Sequence, residues 1–375
     1  MYASSISGPG RVRLIMSVAA IALLSVSAAC GSSEEGPTLE AVEAGNDAIE
    51  GQADESGDAP PEEQPNEQLE EQPAPLPEDA LSVVVSDPPL ADLVSRVAGP
   101  AVAVTSVVPL GADGHTYEPR PENARALAEA DVYIENGMGL NDVVSSFAAT
   151  NYPPGTPHHA LADVIPSDEV IATDSAEQIA AHGHAHNFNA HFWPDPVYAR
   201  LYVDRIAEIL AEVDPDGAAG HTERAAALLA ELEALDAAFA TAIETIPEAN
   251  RKLVVYHDSW SYFGRRFGLP VIGAIQPTDF SEPSAAELRS TIEEVRAAGV
   301  PAFFGSEVFP SDVLEVIEEE SGAAYVADLS DDALPGEPGD PEHSYVGMMV
   351  ANVRTIVTAL GGDASGLDAV DPALA

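Results

Sequence analysis

Three histidines and one aspartate occupy places where the chain passes from one regular element to the next. His115 lies in the loop 111–119, and His191 opens the segment HFWPDP before a helical stretch. His257 ends the β-rich run KLVVYH, and Asp328 lies near the end of the run YVADL. Three imidazole nitrogens and one carboxylate oxygen form a borderline-soft donor set that suits Zn²⁺. These four residues are therefore the candidate metal ligands.

The fourth ligand has close competitors along the chain. Asp331 and Asp332 follow Asp328 within four residues, and Asp328 by itself could cap a turn. A single histidine at the end of a strand is also more often structural than metal-binding. The prediction therefore depends on all four candidates reaching the same face of the fold.

The pattern of apolar residues indicates which elements position these side chains. Short β-rich runs alternate with helical stretches on both sides of a long Ala/Leu/Glu-rich helix at 218–246. The strands are predicted at 81–86, 101–108, 131–135, 160–166, 252–257, 270–275, 302–306 and 323–329. Such alternation predicts an α/β fold, with two βα lobes that contain parallel sheets and are joined by the long backbone helix. Ligands of parallel sheets bind beyond the carboxyl ends of the strands, so the metal site is expected in the cleft between the lobes.

The chain divides into six predicted segments. Residues 1–30 are a predicted signal peptide and 31–79 a tether that cannot fold on its own. The remaining segments are an N-terminal lobe at 80–215, the linking helix at 216–247, a C-terminal lobe at 248–361 and a loose tail at 362–375.

The N-terminus has the features of an export signal. Arg11 and Arg13 precede sixteen uncharged, mostly apolar residues at 14–29, a run shorter than the roughly 18 residues that a membrane span needs. The run ends at Cys30, the only cysteine, which rules out a disulfide within the chain. This arrangement resembles a bacterial lipoprotein signal, in which Cys30 becomes the lipidated N-terminus. We therefore expect an extracytoplasmic protein anchored by lipid to the outer face of the cell membrane.

The charge of the chain limits its partners. The sequence has 63 Asp and Glu against 15 Lys and Arg, a net charge of −48. Nucleic acid is excluded as a partner, because phosphate binding needs clustered basic residues. Residues 31–79 carry sixteen acids, seven prolines and no basic residue, which is typical of an extended, disordered spacer. A cationic ligand is compatible with this charge.

From residue 81 to about 360 the chain resembles the metal-specific solute-binding lipoproteins of bacterial ABC importers, the zinc- and manganese-binding group. The segments that carry the resemblance are 111–119, 191–196, VVYHDSWSYF at 254–263 and YVADL at 325–329. Glu307 matches a recurrent acid of the family that is not a ligand. The resemblance implies a monomer that captures a divalent ion outside the cell and delivers it to a membrane permease.

The resemblance also bears on the metal. Manganese-type members tend to carry a carboxylate at the third ligand position and zinc-type members a histidine, so His257 favours zinc over Mn²⁺ or Fe²⁺. Zinc-type members often carry a His-rich loop between the first two ligands. His182, His184 and His186 form a short version of it, either a weak auxiliary metal site or a solvated loop.

Two other classes of function remain as alternatives. An extracellular zinc hydrolase would need an open coordination position and a general base such as Glu307, but the sequence contains no HExxH or GxSxG motif. A protein for an organic ligand or siderophore, or an adhesin with the same fold, would not need the four metal-type side chains. No enzyme activity is predicted.

Overall fold

The computed structural model describes residues 76–77, 80–112, 114–173, 187–274, 284–306 and 313–370, and at positions 273, 274, 327 and 328 it describes the backbone alone. The predicted signal peptide with Cys30, nearly all of the tether, the His182–His186 cluster and Glu307 lie outside these ranges. The described elements belong to one compact unit, Glu71–Ala375. The predicted lobe boundaries near 215 and 247 therefore remain predictions.

The first half of the folded chain is a four-stranded parallel sheet. Its strands are β1 (Ser82–Val85), β2 (Ala103–Ser106), β3 (Val132–Glu135) and β4 (His158–Ala160), in the order β2-β1-β3-β4. The crossovers are helices α1 (Pro88–Ala98), α2 (Pro121–Ala128) and α3 (Asp142–Asn151). Strand β1 has the sequence SVVV and its three valines are buried, because a central parallel strand is covered by helices on both faces.

The fourth strand differs from its predicted position at 160–166. Strand β4 ends at Ala160, and the apolar residues that follow form a 3₁₀ helix, Leu161–Val164. Leu161 is fully buried there, so the apolar run reflects packing of a helical turn onto the core. A run of this length does not distinguish the two conformations by its pattern.

Two helices connect the halves. Helix α4 is Pro196–Val213 and helix α5 is Ala218–Glu244, a helix of 27 residues that is about 40 Å long. Helix α5 packs against α4 and α1. Its buried positions Leu228, Leu232, Leu235 and Phe239 recur every three or four residues, which is the spacing of one helical face. The predicted long helix is present, and it ends two residues before its predicted end at 246.

The second half contains two pairs of parallel strands. They are β5 (Leu253–Val255) with β6 (Val271–Ala274), and β7 (Ala302–Ser306) with β8 (Ala324–Leu329). Their helices are α6 (Ser261–Phe267), α7 (Ala285–Ala298), α8 (Val313–Ser321) and α9 (Tyr345–Ala359). A capping box begins α7, since Ser284 Oγ accepts from the Glu287 N–H and the Glu287 carboxylate accepts from the Ser284 N–H.

Residues 362–370 differ from their prediction as part of a loose tail. A 3₁₀ helix, Ser365–Ala369, follows α9, and Leu367 is fully buried in the main core. Within the described ranges, no helix combines the length and apolar character needed to cross a membrane. The observed architecture confirms the predicted fold class, with βα halves built on parallel strands and connected by a long helix.

Candidate metal centre

The three predicted histidines converge at the carboxyl ends of the parallel strands. His115 lies in the loop after β2, His191 lies five residues before the start of α4, and His257 follows β5 by two residues. The ring of His115 is 5.1 Å from that of His191 and 5.7 Å from that of His257, and the latter two rings are 5.2 Å apart. Residues separated by up to 142 positions in the sequence thus share one small volume.

A carboxylate completes this cluster. Asp332 Oδ2 lies 3.4 Å from Nε2 of His115 and 3.5 Å from Nε2 of His257, and Asp332 Oδ1 lies 3.9 Å from Nε2 of His191. The four donor atoms all lie within 4.8 Å of one another. Donor atoms around a tetrahedral zinc ion are roughly 3.4 Å apart when the metal–ligand bonds are about 2.0–2.1 Å long. The donor atoms of this cluster that lie farther apart would have to move closer together to enclose one ion.

The carboxylate in this cluster is not the one that the sequence favoured. Asp328 is in β8, where its backbone pairs with Gly305, and its side chain lies outside the described residues. Asp332, a competing candidate, lies past the end of β8 at Leu329. The turn beyond the strand brings the later aspartate to the imidazoles, so among the described side chains the cluster is His115, His191, His257 and Asp332. Coordination by Asp328 stays a prediction.

Hydrogen bonds on the far side of the rings fix two of the imidazoles. His115 Nδ1 lies 2.9 Å from the Leu140 carbonyl oxygen, and His191 Nδ1 lies 3.1 Å from Asn189 Oδ1. An acceptor at Nδ1 holds the proton on that nitrogen and leaves the Nε2 lone pair directed toward the cluster. Both rings are therefore in the tautomer that binds a metal through Nε2.

The loop that carries His115 packs closely against the first sheet. Gly114 precedes it, and a Cβ atom at that position would lie 2.9 Å from Asp87 Oδ1. The same oxygen accepts a hydrogen bond from Asn141 Nδ2. Burial raises the pKa of Asp87 to about 6. A side chain at position 114 would displace this carboxylate or the loop, and the imidazole of His115 with it.

Asn189 links the second ligand to the third. Its Oδ1 accepts from the backbone N–H of His191 (3.0 Å) as well as from the ring, and its Nδ2 donates to the Asp258 carbonyl oxygen (2.6 Å). Its own carbonyl accepts from the Tyr262 hydroxyl at 2.7 Å. Asn189 is 3% exposed. One buried side chain therefore sets the orientation of His191 relative to the chain that carries His257.

We expect Asn189→Ala to weaken metal binding by about 10- to 100-fold, because groups that orient a ligand contribute on that scale. Competitive titration with a chromophoric chelator measures the change. Asn189→Asp keeps the acceptor and should retain most of the affinity, and Asn151→Ala, in α3, is the matched remote control. Equal affinities for Asn189→Ala and the wild type would show that the hydrogen bond does not position His191.

Burial sets the protonation of the cluster. Burial lowers the pKa of His191 well below its ordinary value and that of His257 to about 4, by more than the Asp332 carboxylate raises them. Burial would raise the pKa of Asp332, but the three imidazoles that surround its carboxylate together hold the pKa below its ordinary value. At neutral pH these groups are two neutral imidazoles and an ionised carboxylate, the forms that bind a metal.

Protons should displace the metal only at low pH. A histidine with its ordinary pKa of about 6.5 is protonated below that pH and then has no free lone pair for a metal. A lowered pKa moves the competition between protons and the metal to lower pH. We expect the affinity to change little from about pH 7 to pH 5.5 and to fall steeply toward pH 4. Titrations at a series of pH values measure this, and an affinity already lost at pH 6 would contradict it.

The stability of the metal-free protein should follow the same window. The imidazoles of His191 and His257 take up protons less readily in the folded chain than in the unfolded chain, because their folded pKa values are lowered. These two groups therefore contribute fully to the free energy of unfolding above about pH 6.5, and their contribution is lost as the pH falls through about 4.

A cavity of about 460 Å³ borders the cluster. His115, His191 and His257 line it together with Asp258, and Thr173 and Phe188 are at its rim. Ala172 and Phe188 form an isolated antiparallel bridge, and Thr173 and Asn187, the described residues on either side of 174–186, both line this cavity. The cavity gives the buried donors a route to the exterior.

The fold and this cluster together define a class of protein: two βα halves on parallel strands with a buried three-imidazole, one-carboxylate centre. The family model described as "Zinc-uptake complex component A periplasmic" matches residues 83–359. The chain belongs to this family, which consists of metal-binding solute-binding proteins of ABC importers and not of enzymes. The extracellular hydrolase alternative is therefore not supported.

Curated relatives and a solved structure agree with this family. The manganese-binding lipoprotein MntA of Halalkalibacterium halodurans is 27% identical over 282 residues, which are 75% of this chain and 89% of that protein. The iron-binding protein YfeA of Yersinia pestis is 26% identical over 281 residues, 75% and 86% of the two chains. The periplasmic zinc-binding protein TroA of Treponema pallidum has a TM-score of 0.67 at 26% identity, covering 74% of this chain and 98% of its own.

Proposed function

We propose that this protein captures Zn²⁺ outside the cytoplasm and delivers it to an ABC permease. The observation that carries the proposal is the convergence of three imidazoles with the Asp332 carboxylate. This donor set carries one negative charge and is mostly nitrogen, and such sets suit zinc better than manganese or iron, which favour more oxygen donors. A site closed by four protein donors also serves capture and leaves no position for a reactive water.

The second candidate is a manganese- or iron-binding function in the same family. Two of the similar proteins are named for manganese and iron, and their overall similarity to this chain equals that of the zinc-binding relative. The choice of metal therefore depends on the donors of this chain, and His257 in the third position favours zinc.

Metal analysis and competitive titration test the proposal directly. The metal-free, purified protein is titrated with Zn²⁺, Mn²⁺ and Fe²⁺ against chelators of known affinity. We expect one tightly bound zinc per chain, with a zinc affinity well above that for the other two ions. A chain that binds Mn²⁺ or Fe²⁺ more tightly under the same conditions would establish the second candidate, and a chain that binds none would refute both.

The position of the ligands suggests how the ion is released. His115 and His191 come from the first half of the chain, whereas His257 and Asp332 come from the second. A bound ion would cross-link the two halves, so release requires that the ligand pairs separate, a shift between two states that a permease can drive. Helix α5 connects the halves and should limit this movement.

We further propose that Cys30 carries the lipid anchor, that residues 31–79 act as the spacer, and that the protein acts as a monomer. The acidic spacer would let the folded part remain near the permease while extending from the membrane. The three histidines at 182, 184 and 186 would act as a weak auxiliary site, since Thr173 and Asn187, the described residues that flank their segment, line the cavity.

Deletion of residues 181–187 should leave the affinity of the main site nearly unchanged, because none of the four clustered donors is removed. Uptake at low external zinc should become slower, since a second, weaker site raises the local concentration of the ion. Equilibrium titration and a zinc-uptake assay in cells separate the two effects. Loss of tight binding on deletion would contradict this division of roles.

A further inference from the structure

A second carboxylate lies beside the third imidazole. Asp331 Oδ2 is 3.5 Å from Nε2 of His257, the same distance as Asp332 Oδ2. Neighbouring side chains in a regular strand point to opposite faces, but the chain has left β8 at Leu329. The irregular backbone that follows directs both carboxylates toward His257.

The position of Asp331 is fixed by partners from two distant elements. Its carbonyl oxygen accepts a hydrogen bond from Trp193 Nε1 at 2.8 Å, and the Trp193 ring packs 5.2 Å from the ring of His191. The preceding residue, Ser330, exchanges two hydrogen bonds with the side chain of Asn352 in α9. Asp331 is 2% exposed. Its carboxylate is therefore held in the buried centre before any ion arrives.

The second carboxylate changes the chemistry of the centre. Three imidazoles with Asp332 offer four donors and one negative charge, which suits a four-coordinate zinc ion. Asp331 adds a second charge and a further oxygen on the side of His257, and harder ions such as Mn²⁺ and Fe²⁺ accept more ligands and prefer oxygen. Asp331 is not one of the four donors that lie within 4.8 Å of one another, so a compact tetrahedral centre does not require it.

We propose that Asp331 is a specificity-determining residue, which supplies an additional oxygen donor to Mn²⁺ or Fe²⁺ and leaves Zn²⁺ four-coordinate. The proposal rests on the metal-capture function proposed above and refines it. The chain then retains affinity for harder ions despite a histidine in the third position.

The experiment compares Asp331→Asn with the wild type in the full mature chain, using Zn²⁺ and Mn²⁺ as separate probes in competitive titrations. Asparagine keeps the size of the side chain and removes its charge. We expect the Mn²⁺ affinity to fall by about tenfold or more and the Zn²⁺ affinity to change by less than about threefold, because only the harder ion uses the extra oxygen. Asp92→Asn, at a half-buried carboxylate that accepts from the Tyr345 N–H, controls for the general loss of a negative charge.

The other outcomes are distinguishable. Equal losses for both ions, or no loss for either, would overturn the specificity role of Asp331, as would a wild type that binds zinc but no Mn²⁺. Each of these results leaves the proposed metal capture intact. A wild type that binds neither ion refutes the proposed function and this inference with it. The electron paramagnetic resonance spectrum of bound Mn²⁺ should also change in Asp331→Asn, and an unchanged spectrum would contradict direct coordination.

Discussion

Replacement of His191 by alanine should lower the affinity for Zn²⁺ by about 100-fold or more. Zinc centres with four protein ligands bind with about 10–16 kcal/mol, so one ligand contributes about 3 kcal/mol, and each 1.4 kcal/mol is a factor of ten. His191 is 8% exposed, and its Nε2 lies 3.1 Å from Nε2 of His115. In the alanine variant three of the four clustered donors remain, and a water molecule would have to take the place of the imidazole.

The measurement needs a control for folding and one for residue type. Thermal unfolding of the metal-free variant shows whether the fold is intact, and His115→Ala should reproduce the loss of affinity. His158→Ala is the matched control, because His158 lies in β4 and its Nε2 bonds to Glu135 at 2.9 Å, outside the cluster. A His191→Ala protein that folds and still binds zinc within about tenfold of the wild type would exclude this histidine as a ligand.

The fold was predictable to the extent that local patterns determine it. Helix α7 begins at 285 and ends at 298, and its sequence marks both ends: the Ser284–Glu287 capping box begins it and Gly299, in the left-handed region, ends it. The fourth strand was displaced because the apolar residues predicted for it form a 3₁₀ helix of four residues, and periodicity over so short a run does not separate a strand from a helix. Packing against distant elements determined the conformation of that segment.

The site was predictable in its histidines and less so in the residues that position them. Each histidine follows a strand or precedes a helix, which the sequence reveals. The acceptors at Nδ1 are a backbone carbonyl of Leu140 and the side chain of Asn189. A carbonyl has no signature in the sequence, and Asn189 precedes a candidate ligand by two residues without any pattern of its own. The one hint in the sequence that Asn189 orients His191 is its position two residues before that histidine.

Three aspartates within five residues made the fourth ligand ambiguous. The pattern YVADL ends a buried strand, and a ligand at a strand end was the reasonable expectation. The structure ends β8 at Leu329 and then fixes Ser330 against Asn352 and Asp331 against Trp193. These contacts, from residues more than twenty positions away in the chain, decide which aspartates reach the imidazoles, and local sequence contains no information about them.

Substitution of Asp332 by asparagine should therefore abolish tight binding, with a loss of about 100-fold or more for Zn²⁺ and Mn²⁺ alike. The carboxylate lies within 3.9 Å of the Nε2 atoms of all three histidines and is 6% exposed. An amide of the same shape keeps the packing and removes the charge that neutralises part of the ion's charge in a buried site. The loss for both ions distinguishes this residue from Asp331, whose replacement should affect Mn²⁺ selectively.

Asp328→Asn gives the decisive comparison, because it removes the same charge from the aspartate that the sequence favoured. We expect its zinc affinity to stay within about threefold of the wild type. Competitive titration of the two variants side by side, with thermal unfolding to confirm folding, measures the difference. If Asp328→Asn lost tight binding and Asp332→Asn retained it, the fourth ligand would be the earlier aspartate. The chain after Leu329 would then have to turn differently when it holds an ion, because the contacts at Ser330 and Asp331 would no longer define the centre.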